Sequence, residues 1–263
     1  MFKISFIGAG HVAWHLSQAF ENAGHSVQEV FSRNPAKAKD VVSYLYNAQV
    51  QEHLDFSEST STVFFLCIPE SAFGLVLAEL LLPKYATLIL VAGNTSLPEA
   101  MIQYDPRRES TNQLGIFFPV QHLQAERKIN LSHTPICIEV LLEETEAILV
   151  HLAKDISDSI YLVNGEERKR IQLAMLMAGV FTQQLWMQAQ SLIESIELDK
   201  QLIQGLIQNY VQAFFANQTL SAVQESDKLH DMRVNLDHQS LLAQPEMREI
   251  YRNMVELIHQ NAI

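Results

Sequence analysis

Gly8, Gly10 and Ala13 follow the apolar run Lys3-Ile4-Ser5-Phe6-Ile7 at the spacing G-x-G-x-x-A. Where a buried strand runs straight into a helix, that spacing has a mechanism. Gly8 permits the tight turn, Gly10 lets backbone amides approach a pyrophosphate with no Cβ in the way, and Ala13 lets the helix lie close to the strand. With Ala9, His11 and Val12 these residues form a candidate phosphate loop. The anion would sit on unpaired N–H groups at the positive end of the helix dipole. The flanking pattern supports this. Val12, Leu16, Ala19 and Phe20 recur at helical spacing, Ala23-Gly24-His25 reads as a helix stop, and Ser26 to Phe31 reads as a second strand. The chemistry implied is the binding of a dinucleotide.

The end of that second strand distinguishes the two nicotinamide cofactors. An enzyme for NAD usually places a carboxylate there to hold the ribose 2′-hydroxyl, and this chain offers Ser32, Arg33 and Asn34. A carboxylate would repel the 2′-phosphate of NADP, whereas a hydroxyl and a guanidinium attract it. The expected cofactor is therefore NADP. The competing reading is a solvated Arg33 ahead of a helix that Asn34 caps and Pro35 starts.

The elements that must position these residues follow from composition and periodicity. A chain of 263 residues with 48% hydrophobic content holds one large or two moderate cores. Its net charge of −12 argues against nucleic acid or an anionic membrane as a general partner. Cys67 and Cys137 each lie in an apolar run without metal-ligand spacing, which points to reduced thiols, a cytoplasmic setting and no metal. The first strand begins at once, leaving no room for a signal peptide before Gly8. The apolar stretch from Leu173 to Phe181 is interrupted by Gln172, Gln183 and Gln184 and is too short to span a bilayer.

Strand and helix alternate to about residue 163. Helices are expected over Pro35 to Tyr46, Ala72 to Leu82 and Glu143 to Lys154, and a further one starts at the S-x-x-E box Ser96 to Glu99. Strands are expected near Gln49 to Gln51 and over Val63 to Ile68, Thr87 to Val91, Gly115 to Phe118, Pro135 to Val140 and Ser159 to Val163. This is the pattern of an α/β fold with a doubly wound Rossmann-type sheet. Beyond Gly165 the strand signal vanishes, so an all-α C-terminal domain is expected to follow. The division is residues 1–163 and 164–263. Glu166 to Ile196 reads as one long helix, apolar nearly all round between Leu173 and Trp186. Such a helix must be covered on every side, in a bundle or at a subunit interface, and a homodimer through the C-terminal helices is expected. Shorter helices are expected near Leu202 to Ala216 and Glu246 to Asn261.

In open α/β sheets, ligands sit beyond the carboxyl ends of the strands. That places Ile68, Pro69 and Gly93 at the cofactor, unless they are only turn residues. Hydride chemistry belongs to the nicotinamide, and the protein must orient a substrate and supply a proton. Histidine is the natural donor near neutral pH. His122, just past a predicted strand end, is one candidate; the alternative is a surface histidine.

Over nearly its whole length the chain resembles bacterial Rossmann-like proteins with a helical C-terminal domain of unknown function, grouped with NADP oxidoreductases of the deazaflavin-dependent type. The segments that carry the likeness are Ile7 to Ala13, Ala23-Gly24-His25, Phe31-Ser32-Arg33, Gly115 to Gln121, Pro135 to Glu139 and Glu167 to Arg170. More distantly it is similar to pyrroline-carboxylate reductases and 3-hydroxyacid dehydrogenases. The resemblance implies a reductase in which His238, matching a polar position of the family, reaches an interdomain cleft. Lys169 invites comparison with the lysine of the dehydrogenases, but Leu173 stands where their asparagine should follow. Gly179 and Val180 replace paired asparagines of the relatives, and of another polar motif only Asp231 and His238 remain.

Two functional readings follow. One is an NADP-dependent oxidoreductase passing a hydride between NADPH and a small carbonyl, imine or deazaflavin in the cleft between domains. The other is a dinucleotide-binding sensor or regulatory dimer without turnover. An enzyme needs a convergent polar site facing the nicotinamide; a sensor does not.

Overall fold

The computed structural model describes residues 1–105, 111–124, 129–216 and 232–261. Eight strands form one sheet in the order β3-β2-β1-β4-β5-β6-β7-β8. They are β1 Lys3–Ile7, β2 Ser26–Phe31, β3 Gln49–Gln51, β4 Val63–Leu66, β5 Thr87–Leu90, β6 Gln113–Pro119, β7 Ile136–Val140 and β8 Ile160–Leu162. The order reverses between β1 and β4, which are parallel neighbours in register from Ile4 opposite Val63 to Ile7 opposite Leu66. This is the topological switch point at which such sheets bind ligands. The α/β class and the Rossmann-type sheet are as the sequence predicts.

Strand β7 runs antiparallel to β6, with Phe117 opposite Ile138, and β8 is again parallel to β7. A parallel pair needs a crossover long enough for a helix. Between β6 and β7 the described residues hold only the 3₁₀ turn Leu131–His133, and the chain doubles back. Central strands β4 and β5 are buried at every position, which explains their unbroken apolar sequence.

Helices α1 (His11–Asn22), α2 (Pro35–Val42), α3 (Phe73–Glu79), α4 (Leu97–Tyr104) and α5 (Glu143–Lys154) cover the sheet. Helix α2 is shorter than its periodicity suggests, ending at Val42 rather than Tyr46, and α3 ends before Leu80. The box at Ser96 is one-sided: its hydroxyl accepts from Glu99 N–H. A reciprocal box forms instead at Asn164, whose side chain accepts from Glu166 and Glu167 N–H while Glu167 accepts from Asn164 N–H. It starts α6 (Gly165–Leu176). The single long helix expected over Glu166 to Ile196 is interrupted by a π-helical turn at Met177–Phe181 before α7 (Thr182–Glu194). Helices α8 (Gln204–Phe215), α9 (Met232–Leu241) and α10 (Pro245–Asn261) follow.

The chain divides into two compact units, Met1–Thr182 and Gln183–Ile263. The division falls after α6, later than residue 163, because α6 inserts the wholly buried Arg168 among the strand ends and so belongs with the sheet. In the second unit Ala213 is the one buried residue among the described residues. No helix of the described residues is long and apolar enough to cross a membrane.

Candidate functional site

Strand β1 delivers Gly8 at φ +113°, a backbone conformation that side-chain-bearing residues rarely adopt. A Cβ there would stand 2.1 Å from the Cys67 carbonyl oxygen, so the turn is pressed against the end of β4 and only glycine fits. The Gly8 amide donates to the Phe31 carbonyl at 2.8 Å, tying the turn to β2. Gly10 is the N-cap of α1, and no side chain caps that helix. A Cβ on Gly10 would meet nothing within 4 Å. The first amides of α1, at His11, Val12 and Ala13, have no acceptor within the helix and stand at the positive end of its dipole. Ala13 is wholly buried beneath the helix, Ala9 is half-buried, and the ring-bearing His11 is exposed.

Gly10, His11 and Val12 line a cavity of about 360 Å³ together with Cys67, Ile68, Pro69, Val91 and Leu123. Five candidates from the sequence thus share one hollow at the switch point. Burial holds the Cys67 thiol well above the ordinary thiol range, so it is a packing residue there. A larger cavity, about 640 Å³, opens along the flank of α1 between Trp14 and Asn22 on one side and Ile129 to Ser132 on the other. None of the candidate residues borders it.

At the end of β2, Ser32 Oγ accepts from Asn34 N–H at 3.3 Å. The Asn34 side chain accepts from Ala36 N–H at 3.0 Å and so caps α2, with Pro35 at its start. The side chain of Asn34 is thereby committed to the helix. Arg33 is exposed and makes no ion pair or hydrogen bond among the described residues. The residues that follow β2 in the chain, Ser32, Arg33 and Asn34, include no carboxylate.

Gly93 lies beyond β5, buried, but its glycine is required for a different reason from Gly8. A Cβ would fall 2.5 Å from Gln172 Cδ and 2.6 Å from Nε2, because the Gln172 side chain occupies that space. The loop around Gly93 is held from two sides. Glu70 accepts from the amides of Gly93 and Asn94 at 3.0 and 3.1 Å and from the Thr95 hydroxyl. Arg168 donates to the carbonyls of Ala92 and Thr95, and its Nε and Nη2 donate to Glu139 Oε2 at 2.9 and 2.7 Å. Glu70 falls in the segment after β4 that the strand-end rule places at the ligand, and Glu139 and Arg168 fall in segments that carry the family resemblance, but no sequence pattern assigns Glu70 or Arg168 a role. A carboxylate closing an apolar strand and an arginine opening a helix were the available signal.

His122 is exposed, and its ring borders Gly179 in the π turn: a Cβ on Gly179 would lie 3.5 Å from His122 Cδ2 and 3.6 Å from Nε2. Turns of this kind are frequent at functional sites. His122 precedes Leu123, which lines the cavity, so the loop after β6 brings it to the same strand ends. His238 belongs to the other compact unit, where its Nδ1 pairs with Tyr251 Oη at 2.9 Å, and that hydroxyl donates to Asn235 Oδ1. Burial raises the Tyr251 phenol above its ordinary value. Asp231 lies outside the described residues. Lys169 makes an ion pair with Glu166 at 3.6 Å on the first turn of α6. No cluster of metal-ligating side chains occurs among the described residues.

Residues 3–92 match the family described as NADP oxidoreductase, coenzyme F420-dependent, and residues 134–258 match a domain of unknown function, DUF2520. No curated protein matches the chain. Among solved structures, the putative NADP oxidoreductase of Bacteroides fragilis is 23% identical with a TM-score of 0.82, covering 98% of each chain. An imine reductase from Pseudomonas sp. is 15% identical with a TM-score of 0.71, covering 98% of this chain and 92% of that one. A reductive aminase from Aspergillus terreus, solved with NADPH and ethyl levulinate, is 17% identical with a TM-score of 0.73, covering 99% and 94%. At these identities the likeness is one of fold. The chain is a Rossmann-like protein with a helical C-terminal domain, its first segment matching NADP oxidoreductases and its last a domain of unknown function.

Proposed function

We propose that this protein is an NADP-dependent oxidoreductase that passes a hydride between NADPH and a small carbonyl, imine or deazaflavin acceptor. The observation that carries the reading is the uncapped start of α1 at the switch point, beside a free guanidinium where a carboxylate would exclude NADP. The backbone amides after Gly10 hold the pyrophosphate, with Gly8, Ala9 and Ala13 shaping the turn. Ser32 and Arg33 hold the 2′-phosphate, and Asn34 orients them through the cap it makes. Ile68, Pro69 and Gly93 line the path towards the nicotinamide. When bound, the cofactor supplies the hydride. His122, whose ring borders Gly179, and His238, whose Nδ1 pairs with Tyr251 Oη, are the candidate proton donors.

The names of the structural neighbours support the carbonyl or imine class. One Aspergillus terreus reductive aminase was solved in complex with NADPH4, cyclohexanone and allyl amine. The free, buried cysteines support a cytoplasmic setting. The exposed apolar faces of α7 and α8, including Trp186, Leu206, Phe214 and Phe215, support a homodimer through the C-terminal helices.

NADPH oxidation over a panel of ketones, aldehydes, cyclic imines and oxidised deazaflavin tests the proposal. Turnover on one class identifies the acceptor. Tight NADPH binding without turnover on any of them overturns the enzyme reading in favour of a sensor. Absence of NADPH binding overturns both.

A further inference from the structure

The loop from Ala92 to Thr95 sits at the carboxyl end of β5, and two side chains of opposite charge grip it. Glu70, from the segment after β4, takes its donors: Gly93 N–H, Asn94 N–H and the Thr95 hydroxyl. Arg168, from α6, takes its acceptors: the carbonyls of Ala92 and Thr95. The guanidinium is 0% exposed and is balanced by Glu139. Burying such a pair is a poor route to stability, because apolar side chains of similar volume serve as well or better. What the pair supplies is geometry. Its donors are a planar fork, fixed in direction by Glu139, and they determine where two carbonyls of a strand-end loop must lie.

We propose that Glu70 and Arg168 are positioning residues that hold the Ala92–Thr95 loop as the nicotinamide-side wall of the cofactor site. This rests on the NADP reading above. In doubly wound sheets the first half of the fold, here β1 to β3 with the glycine turn and Arg33, takes the adenosine half of the ligand. The second half, whose loops follow β4 and β5, takes the other. Glu70 and Arg168 lie wholly in the second half. Among the described residues they make no hydrogen bond or ion pair with the glycine turn or with Ser32 and Arg33, so their effect divides the ligand in two.

The experiment compares NADPH with 2′,5′-ADP, which contains only the adenosine half, by calorimetric titration of the full chain. Glu70→Gln removes the carboxylate charge from these bonds and replaces one acceptor oxygen by an NH₂, so that the Thr95 hydroxyl must turn from donor to acceptor and the two amides keep only a neutral oxygen. NADPH affinity is expected to fall about tenfold, the value of one charge-assisted hydrogen bond, while 2′,5′-ADP stays within about twofold. Arg168→Lys keeps the charge and loses the fork, with the same split expected. Amide exchange at Gly93 and Asn94 should accelerate in Glu70→Gln without ligand. If Arg168→Lys does not fold, Glu70→Gln, at a half-buried side chain, decides alone. Equal weakening of both ligands, or unchanged NADPH affinity, overturns the positioning role and leaves the cofactor reading intact. A wild-type chain that binds neither ligand overturns the cofactor reading, and this inference with it.

Discussion

Residues 1–182 close their core within one chain, with Phe6, Phe20, Phe65 and Phe117 wholly buried, whereas residues 183–263 leave Phe214 77% and Phe215 78% exposed. Around Phe65, Phe6 stacks at 5.3 Å, Phe20 lies tilted at 5.0 Å and Phe117 meets it edge to face at 5.6 Å. In the helical unit, the exposed rings of Phe214 and Phe215 meet each other at 5.7 Å. The contrast separates two ways of using apolar sequence. In a doubly wound sheet the strands and covering helices bury one another, so the apolar pattern is satisfied by the chain that carries it. A set of amphipathic helices that leaves such rings exposed among the described residues has driving force still unspent, and a second copy is where the proposed dimer would use it.

Four measurements would break or sharpen that contrast. The largest effect is expected at Gly8, where a methyl group would both meet the Cys67 carbonyl and force a strained φ. Gly8→Ala should reduce unfolding stability by roughly 2–6 kcal/mol in urea denaturation, adding backbone strain to overpacking. A loss below about 1 kcal/mol, ordinary for any substitution, would mean the turn is less tightly held than its geometry implies.

Arg33→Ala comes next, and it acts on binding rather than folding because the side chain is exposed and has no hydrogen-bond or ion-pair partner among the described residues. NADPH affinity should drop about ten- to a hundredfold, with NADH affinity nearly unchanged. Equal losses for both cofactors would remove the 2′-phosphate from its proposed partner.

A smaller effect concerns pH and the first unit only. Buried His25 accepts from Phe2 N–H at Nδ1 and pairs through Nε2 with Asp155 Oδ2 at 2.9 Å, with His151 3.4 Å from the same oxygen. Desolvation lowers the His25 pKa, and Asp155 opposes this in part. The unfolded chain therefore binds the extra proton more readily. Stability from this site is fully present above the unfolded value near 6.5 and is lost as pH falls from there through the folded value. His25→Gln should flatten the slope of stability against pH on the acid side of that value. An unchanged slope would assign it to other groups.

The smallest effect on folding is expected in the helical unit. Phe215→Ser should change the stability of the isolated chain by no more than about 0.5 kcal/mol. Sedimentation should nevertheless show the proposed dimer dissociating at higher protein concentration. A large stability loss in a monomeric sample would show that Phe215 is already covered within its own chain.

Local patterns were enough for the first thirty-five residues. Strand, glycine turn, helix and second strand lie where periodicity and capping place them, because each depends on neighbours a few residues away. The Asn34 cap and Pro35 start were legible for the same reason. The π turn at Met177–Phe181 was not, since its residues fit an uninterrupted helix as well. Glu70 and Arg168 were illegible for a different reason. Their partners at Gly93 to Thr95 stand far along the chain, and no periodicity links them. Asn34, read as a ligand contact or as a cap, has its side chain committed to the cap.

By itself the sequence determined the alternation of strand and helix, the glycine turn and the lack of a carboxylate after β2, all set by side-chain sterics and charge acting locally. Only the tertiary structure decided that β7 turns back antiparallel to β6 and that Gly8 is pinned by the Cys67 carbonyl. It also decided that a buried guanidinium holds the loop after β5. Those features depend on groups brought together by folding, where burial strengthens electrostatics and close packing leaves no room for a misplaced atom.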